Sequence, residues 1–246
     1  MGYHESLTEG RNAVLEAFRS GKTVDRLFVL DGCQDGPVKT ILREAKKQDT
    51  MVQYVKKERL DQLSETKNHQ GVIAYCAACE YAEVSDILEN AKKKGEAPFI
   101  VLLDGIEDPH NLGAIIRTAN QAGAHGVIIP KRRAVGLTAT VARTSAGAVN
   151  YTPVAKVTNL VTVMEDLKKE GMWFVCADMD GEEMYSLNLK GPIGLVIGNE
   201  GEGVSRLVKE HCDMVVSIPM KGDIDSLNAS VAMGVLAYEI VRQRRF

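Results

Sequence analysis

Short apolar runs alternate with segments of helical periodicity along most of the chain. Near the N-terminus, Val14, Leu15 and Phe18 recur at helical spacing and are followed by Gly21, which predicts a helix that ends there. Three runs rich in Val, Leu, Ile and Tyr predict strands in the first third of the chain: 26–30, 51–55 and 71–76. Helices around residues 41 and 60 separate these strands. This part of the chain is therefore expected to form a small α/β domain.

The remaining two thirds alternate between strand and helix almost strictly. The predicted strands are 99–104, 126–130, 151–154, 173–177, 194–198 and 214–219. Such alternation predicts an α/β fold with an open parallel sheet and helices on both of its faces. The last helix, 230–245, is expected to pack Val231, Val235 and Tyr238 on one side. In sheets of this kind, ligands bind beyond the carboxyl ends of the strands.

A strongly charged stretch from Glu80 to Pro98 separates the two parts and contains three consecutive lysines followed by Gly95. Such a shift in composition is typical of a domain boundary. We therefore predict a first domain over 1–79, a linker over 80–97 and a second domain over 98–246.

Composition limits the possible partners. Hydrophobic residues make up 45% of the chain, which is enough for a sizeable core, and the formal net charge is −3. Lys and Arg are balanced by Asp and Glu in both halves, so a nucleic acid would have to be held by local patches. Candidate patches are Lys131–Arg133 and the group of Arg242, Arg244 and Arg245. Each could equally be a set of solvated surface charges.

The cysteines and the apolar segments argue against several classes of protein. The five cysteines do not suggest a disulfide framework. Cys76 and Cys79 form the single C-x-x-C pair and lack a second pair at zinc-ligand spacing, so no metal is expected. No apolar segment is long enough to span a bilayer, and no secretory signal pattern is present. A cytoplasmic location is expected.

Three clusters of polar residues and glycines follow predicted strands. In the first, Asp108 can cap a helix with Pro109 at its first position, which leaves Asn111 and Gly113 on the opening turn. Arg117 lies six residues after Asn111, so the two share one side of a pocket only if the first turn is irregular. Taken alone, this cluster is better explained as a well-capped helix with a surface arginine.

The second cluster is the sequence LVIGNEGEGV at 195–204. Its glycines allow close backbone approach to a ligand, but their spacing is not that of the dinucleotide-binding G-x-G-x-x-G motif. Glu200 within the loop would repel a pyrophosphate, so a ligand with hydroxyl or amino groups fits better. The third cluster follows the strand 214–219 and contains Asp225, Ser226 and Asn228. Capping of the final helix by Ser or Asp is its simplest explanation.

Taken in order, these clusters resemble the SpoU type of the SPOUT RNA methyltransferases. The resemblance rests on Asn111, Gly113 and Arg117, on G-N-E-G-E-G at 198–203, on S-L-N-A-S at 226–230 and on Ser145-Ala-Gly147-Ala. It covers about the last 150 residues. Residues 4–79 also resemble the N-terminal substrate-binding domain of the family, a small α/β RNA-binding fold.

The resemblance implies a C-terminal trefoil knot, a homodimer and S-adenosylmethionine as the cofactor. It implies that four residues hold the cofactor: Gly198, Ile218, Met220 and Leu227. Asn111, Ser226 and Asn228 would orient the acceptor ribose and its phosphate, while Glu200 would stabilise the motif loops. Arg117 corresponds to the expected catalytic centre of the family. Because an arginine stays protonated, we expect a phosphate clamp rather than a base, and His110 is the alternative base.

The resemblance implies transfer of a methyl group to a ribose 2′-hydroxyl, with large-subunit rRNA preferred over tRNA as the substrate. Two alternatives belong to other classes. A catalytically silent RNA-binding protein of ribosome assembly is disfavoured by the complete set of motif residues. A nicotinamide-dependent oxidoreductase is disfavoured by the glycine spacing and by Glu200.

Overall fold

The computed structural model describes residues 6–223 and 226–245. The chain divides into two compact units. The first comprises the residues up to Glu80 together with Gly136–Ala139, and the second comprises Tyr81–Val135 and the residues from Thr140 onward.

The first unit contains a four-stranded mixed sheet with the order β1-β4-β2-β3. Its strands are β1 (Ser6–Glu9), β2 (Val24–Leu30), β3 (Met51–Val55) and β4 (Val72–Cys76), and its helices are α1 (Arg11–Arg19), α2 (Gly36–Lys47) and α3 (Lys57–Leu63). Strands β2 and β3 pair in parallel, whereas β4 pairs antiparallel with β1 and β2. The short strand β1, with the sequence SLTE, carries no apolar run and was not predicted.

Helices cover both faces of this sheet. Consecutive residues of β2 point to opposite faces, so neighbouring residues of this strand contact different helices. On one face, Leu27 packs with the fully buried side chains of Val14 from α1 and Ile41 from α2. On the other face, Phe28 packs with Leu60 from α3. The first unit therefore has a hydrophobic core of its own.

The second unit contains a six-stranded sheet with the order β10-β8-β9-β5-β6-β7, in which every neighbouring pair is parallel. Its strands are β5 (Phe99–Asp104), β6 (Gly126–Pro130), β7 (Val154–Val157), β8 (Trp173–Glu183), β9 (Ile193–Gly198) and β10 (Met214–Ser217). The predicted open parallel sheet is confirmed. Strand β7 begins at the last residue of its predicted range, since a 3-10 turn at Ala148–Asn150 precedes it. The implied trefoil knot stays a prediction.

Helices cover both faces of the second sheet. They are α4 (Val84–Lys94), α5 (Pro109–Gln121), α6 (Ala139–Thr144), α7 (Leu160–Lys169), α8 (Arg206–Glu210) and α9 (Ala229–Arg245). Ile87 of α4 and Met164 of α7 pack in one cluster with Ile100 and Leu102 of β5. Helices α5 and α9 contact each other, and α9 also contacts β9. The buried side chains of α5 and α9 do not belong to the cluster that contains Ile87. No helix of the described residues is long and apolar enough to cross a membrane.

The stretch 80–97, expected to be a linker, contains helix α4 and belongs to the second unit. Its charged composition concealed an amphipathic helix in which Ile87 is fully buried and Ala91 nearly so. Gly126 at the start of β6 leaves room for Ile87, because a Cβ there would overlap the isoleucine side chain. The segment is therefore part of the core of the second unit.

The expected packing of α9 was wrong. Val231 and Tyr238 are half exposed, whereas Met233, Leu236 and Ile240 form the buried side of the helix. The apolar residues of α9 nearly encircle it, so the sequence pattern alone did not show which side faces the sheet. Val231 and Tyr238, together with the partly buried Val235 between them, instead form a partly exposed stripe, which we call the α9 stripe.

The C-terminal arginines do not form a basic patch. Arg242 pairs with Glu239, one turn earlier on α9. Arg244 is turned inward, where its guanidinium donates hydrogen bonds to the carbonyls of Ala97, Pro98 and Gly191 at the beginnings of β5 and β9. Partial burial lowers the pKa of Arg244 below its ordinary value. Its contacts fasten the end of α9 to the sheet.

The burial of α4 can be tested by truncating Ile87. The substitution Ile87→Ala should lower the free energy of unfolding by about 2 to 5 kcal/mol, because a fully buried side chain leaves a cavity. Lys93→Ala on the exposed side of the same helix should change it by less than about 0.5 kcal/mol. Urea unfolding of both variants measures the difference, and equal stabilities would mean that 80–97 is a linker after all.

Candidate active site

The first two polar clusters meet where the central strands of the second sheet end. Asp104 is the last residue of β5 and Gly198 the last of β9, and the two are direct partners in the parallel pairing. Asp104 also accepts a hydrogen bond from the backbone N–H of Ser205, at 2.8 Å, where helix α8 begins. The loop 199–203 is therefore held at both ends.

Asn199 organises this loop from within. Its side-chain oxygen accepts hydrogen bonds from the backbone N–H groups of Gly201 and Glu202, at 2.9 and 2.7 Å. The N–H of Gly203 donates to the carbonyl of Asn199 and closes the turn. These bonds satisfy the backbone of a short exposed loop and fix the position of Glu200. Sequence reasoning missed this role, although an Asn at the start of a glycine-rich turn is a known signal for it.

Gly198 is required by the loop itself. A Cβ at this position would overlap the backbone of Gly203 and Val204. The loop folds back directly over the end of β9, so any side chain here would force it open. Gly198 does line the cavity described below, but its lack of a side chain is explained by this close approach.

Three of the predicted catalytic residues form one hydrogen-bonded cluster. Asn111 on the first turn of α5 donates from Nδ2 to Glu200 Oε1 at 3.0 Å. Asn228 donates from Nδ2 both to Asn111 Oδ1, at 2.9 Å, and to the same Glu200 oxygen. The backbone N–H of Ala229 also points to that oxygen at 3.4 Å. One carboxylate oxygen thus joins three segments that are far apart in the sequence.

Asn228 also begins the last helix. Its side-chain oxygen accepts from the backbone N–H of Ser230 at 3.0 Å, and its backbone carbonyl accepts from Ala232. The helix is therefore capped by Asn228, whereas Ser or Asp was expected. Asp225 lies outside the described residues. Because the amide oxygen caps α9, the amide nitrogen is free to face Glu200.

A cavity of about 240 Å³ lies on one side of the loop 199–203. The four residues expected to hold the cofactor all line this cavity: Gly198, Ile218, Met220 and Leu227. Ser226 and Glu200 line it as well. Apolar side chains from β9 and β10 form much of its wall, and the carboxylates of Asp178, Glu200 and Glu202 supply the charge. Among the described residues, no Lys, Arg or His lines it. The cavity therefore suits a ligand with an apolar ring and a positive charge.

Asp178 follows the buried part of β8 and is fixed in place. Its carboxylate pairs with Lys209 of α8 at 2.7 Å and accepts from the N–H of Asp180 at 3.1 Å. Partial burial alone would raise the pKa of Asp178, but the hydrogen bonds from Lys209 and the backbone hold it below its ordinary value. Asp178 thus keeps its negative charge at the wall of the first cavity. No pattern in the sequence pointed to this residue.

A second, larger cavity of about 630 Å³ is lined by the same loop. Its lining includes Asn111, Arg133, Ser205 and the residues that join β5 to α5: Asp104, Gly105, Ile106, Glu107 and Asp108. The loop 199–203 lines both cavities. Glu200 therefore stands between two spaces of different chemical character.

Arg117 and His110 do not join this cluster. Helix α5 is capped by Asp108, whose carboxylate accepts from the N–H groups of His110 and Asn111. Since six residues of an α-helix turn through 600°, Arg117 points about 120° away from Asn111. The side chains of Arg117 and His110 are exposed, and neither of these two residues lines a cavity. The irregular turn that would have placed Arg117 beside Asn111 is absent from α5.

Comparison with protein families matches both parts of the chain. Residues 98–238 match the SpoU rRNA Methylase family. Residues 7–82 match the family described as RNA 2'-O ribose methyltransferase substrate binding. A Bacillus subtilis protein named putative TrmH family tRNA/rRNA methyltransferase YacO is 49% identical over 237 residues, which covers 96% of this chain and 94% of the relative.

Solved structures give the same result. The SpoU methyltransferase AviRb from Streptomyces viridochromogenes, in complex with AdoMet, aligns with a TM-score of 0.62 and 28% identity over 98% of this chain and 91% of its own. An AdoMet-bound rRNA methyltransferase from Sinorhizobium meliloti aligns with a TM-score of 0.60 and 25% identity over 96% of this chain and 86% of its own. Both alignments span the two units.

The contact between Asn228 and Glu200 can be tested by replacing the amide with a carboxylate. Asn228→Asp retains a good helix cap but places two carboxylates together. It should lower the free energy of unfolding at pH 8 by about 1 to 4 kcal/mol. The loss should shrink at pH 5, because the contact raises the pKa of one carboxyl in the folded state and protonation removes the repulsion.

Glu200→Gln in the same chain is the matched test. The double variant should recover most of the stability at pH 8, as measured by urea unfolding. An Asn228→Asp protein as stable as the wild type at pH 8 would contradict the contact.

Proposed function

Because the chain belongs to the SpoU rRNA Methylase family, we propose that it methylates a ribose 2′-hydroxyl of large-subunit rRNA. It is an RNA methyltransferase that uses S-adenosylmethionine. The observation that carries the proposal is the cluster of Asn111, Glu200 and Asn228 between two cavities. One cavity fits the methyl donor, and the other is open to the acceptor.

The residues of the first cavity fit S-adenosylmethionine. Ile218 and Leu227 offer apolar surface for an adenine ring, while Asp178 and Glu200 offer negative charge to a ligand with a sulfonium and an ammonium group. When bound, the cofactor supplies an electrophilic methyl group. The chain has to align the acceptor hydroxyl with it and assist removal of the hydroxyl proton.

The polar cluster is suited to orienting a hydroxyl. Asn111 lines the second cavity, and its amide is fixed because both its oxygen and its nitrogen are hydrogen-bonded. Ser226 lines the first cavity beside Glu200. A hydroxyl that enters between these groups meets donors and acceptors whose positions are already set, which reduces the entropic cost of alignment. A ribose hydroxyl matches this polarity better than a base carbon.

The choice of rRNA rests on the two-unit layout. The rRNA methyltransferase of Sinorhizobium meliloti aligns over 96% of this chain, so it shares both units. The N-terminal match to a substrate-binding family gives the first unit a role in holding RNA. A tRNA substrate is the alternative, since the name of the Bacillus subtilis relative includes both RNAs. The proposal also places the protein in the cytoplasm, with the RNA that it would modify.

The role proposed for Arg117 involves a homodimer. Arg117 lines neither cavity of its own chain, so this residue could clamp an acceptor phosphate only in the site of a second copy. The α9 stripe of Val231, Val235 and Tyr238 offers a partly exposed apolar surface on which a second copy could pack. A two-fold dimer through this stripe would place the same helix of both chains together.

The activity can be tested with S-adenosylmethionine labelled at the methyl group and total RNA from a strain that lacks the gene. Wild-type protein should label large-subunit rRNA, and the labelled linkage should resist alkali, because cleavage by alkali needs a free 2′-hydroxyl. Glu200→Gln and Asn111→Ala should reduce the rate by about one hundredfold or more, since misaligned groups lose most of the catalytic effect.

Glu210→Gln on α8, outside both cavities, is the matched control and should leave the rate unchanged. Label that is released by alkali together with ordinary nucleotides would contradict the 2′-hydroxyl, and label in tRNA alone would exchange the proposed substrate for the alternative. Near-normal rates in Glu200→Gln would remove the cluster from the active site.

The dimer and Arg117 can be tested together by complementation. Arg117→Ala and Glu200→Gln proteins should each be nearly inactive. A mixture refolded together should regain about one quarter of the wild-type rate, because half of the dimers are mixed and each of these has one intact site. No recovery would mean that Arg117 serves the site of its own chain or none.

The double variant Val231→Glu and Tyr238→Glu provides the control for this interface. When it is introduced into both proteins, sedimentation should show monomers and complementation should disappear. Leu207→Glu, an equally exposed apolar position on α8, should leave the dimer intact.

A further inference from the structure

One positively charged side chain lines the larger of the two cavities. Among the described residues that line either of them, Arg133 is the single Lys, Arg or His, and it belongs to the larger cavity. It lies in the loop after β6, within the Lys131–Arg133 segment that the sequence marked as a candidate basic patch. The function proposed above makes no use of it.

Arg133 has no partner within residues 6–223 and 226–245. Its side chain is exposed and makes no hydrogen bond or ion pair there, although five carboxylates line the same cavity. Three of these are already occupied: Asp104 by the N–H of Ser205, Asp108 by the start of α5, and Glu200 by Asn111. An arginine that stays unpaired beside an acidic cavity is available for an anion from outside.

The backbone at Arg133 adds to this argument. Its φ of 55° is in the left-handed region, which a non-glycine residue adopts at a cost in free energy. No hydrogen bond or ion pair of the side chain with the described residues compensates for that cost. Four other described non-glycine residues have a φ in this region, and Arg133 is the one of the five that lines either cavity.

Resting on the function proposed above, we infer that the larger cavity takes the acceptor nucleotide and that Arg133 binds the phosphate beside its ribose. A guanidinium binds a phosphate through two parallel hydrogen bonds, which fixes direction as well as distance. The sugar and base, which carry hydroxyl and amino donors, would face the carboxylates inside the cavity. Asn111 lines the same cavity, so a nucleotide held at Arg133 lies along the wall that leads to Glu200.

Arg133 is therefore a positioning residue that is supplied by the same chain as Asn111 and Glu200. In this respect it differs from Arg117, whose proposed role needs a second copy. Its neighbour Arg132 is also exposed and positively charged but lines neither cavity. Arg132 provides a matched control for any general attraction between the loop and RNA.

The first experiment compares steady-state methylation by three variants of the full-length protein, with an rRNA fragment that contains the nucleotide labelled by the wild-type protein as the substrate. Arg133→Asn removes the charge and retains a residue that tolerates the left-handed backbone. It should reduce kcat/KM for RNA about ten- to one-hundredfold, the range expected for one lost charged hydrogen bond. Arg133→Lys should recover only part of this loss, because it keeps the charge without the fork. Arg132→Asn should lose less than about threefold.

The second experiment identifies the phosphate. An RNA in which the phosphate next to the acceptor ribose is replaced by an uncharged methylphosphonate should be as poor a substrate for wild-type protein as normal RNA is for Arg133→Asn. The two changes should not add when they are combined, because each removes the same contact. The Kd for S-adenosylmethionine, measured by calorimetry, should be the same in all variants.

The outcomes separate this inference from the proposed function. An Arg133→Asn protein with the kcat/KM of Arg132→Asn would overturn the inference and leave the methyltransferase proposal intact. Additive losses from the variant and the methylphosphonate would also overturn it, as would weaker cofactor binding. A wild-type protein that labels no RNA would instead overturn the proposed function.

Discussion

The arrangement of the candidate active site depends on one carboxylate oxygen. Glu200 Oε1 accepts hydrogen bonds from the side chains of Asn111 and Asn228. Through these bonds, the loop after β9 is joined to the first turn of α5 and to the start of α9. The backbone bonds of Asn199 hold Glu200 in position to receive them. Without this oxygen, the two amides would lose their fixed orientation, and the wall between the cavities would lose its shape.

The parallel sheet explains why three separated motifs could be assigned to one site from the sequence. Strands β5 and β9 are direct neighbours and run in the same direction, so the segments that follow Asp104 and Gly198 emerge at one edge. Apolar runs marked these strands clearly because both faces of the sheet are covered by helices. The motif residues Asn111, Glu200 and Asn228 could therefore be predicted together, and so could the lining residues Ile218 and Leu227.

Features that depend on three-dimensional packing could not be predicted in the same way. The charged stretch around Ile87 concealed a packed helix, since one buried side comprising Ile87 and Ala91 is a weak signal among lysines. The side of α9 that faces the sheet was assigned wrongly because apolar residues almost encircle that helix. Arg117 was expected to share one side of a pocket with Asn111 only if the first turn of the helix were irregular, and the regular helix separates their directions. Arg133 could be recognised as unpaired and cavity-lining only once the fold was known.

The central claim is that donor and acceptor occupy different cavities on the two sides of the loop 199–203. Hydrogen–deuterium exchange of the full-length protein, with S-adenosylmethionine and with the RNA fragment added separately, tests it most directly. The cofactor should protect the backbone N–H groups of 177–179 and 216–218, and the RNA should protect those of 105–108 and 132–134. The loop 199–203 should be protected by both ligands. Protection of 177–179 and 216–218 by RNA alone, or of 105–108 by the cofactor alone, would contradict the account.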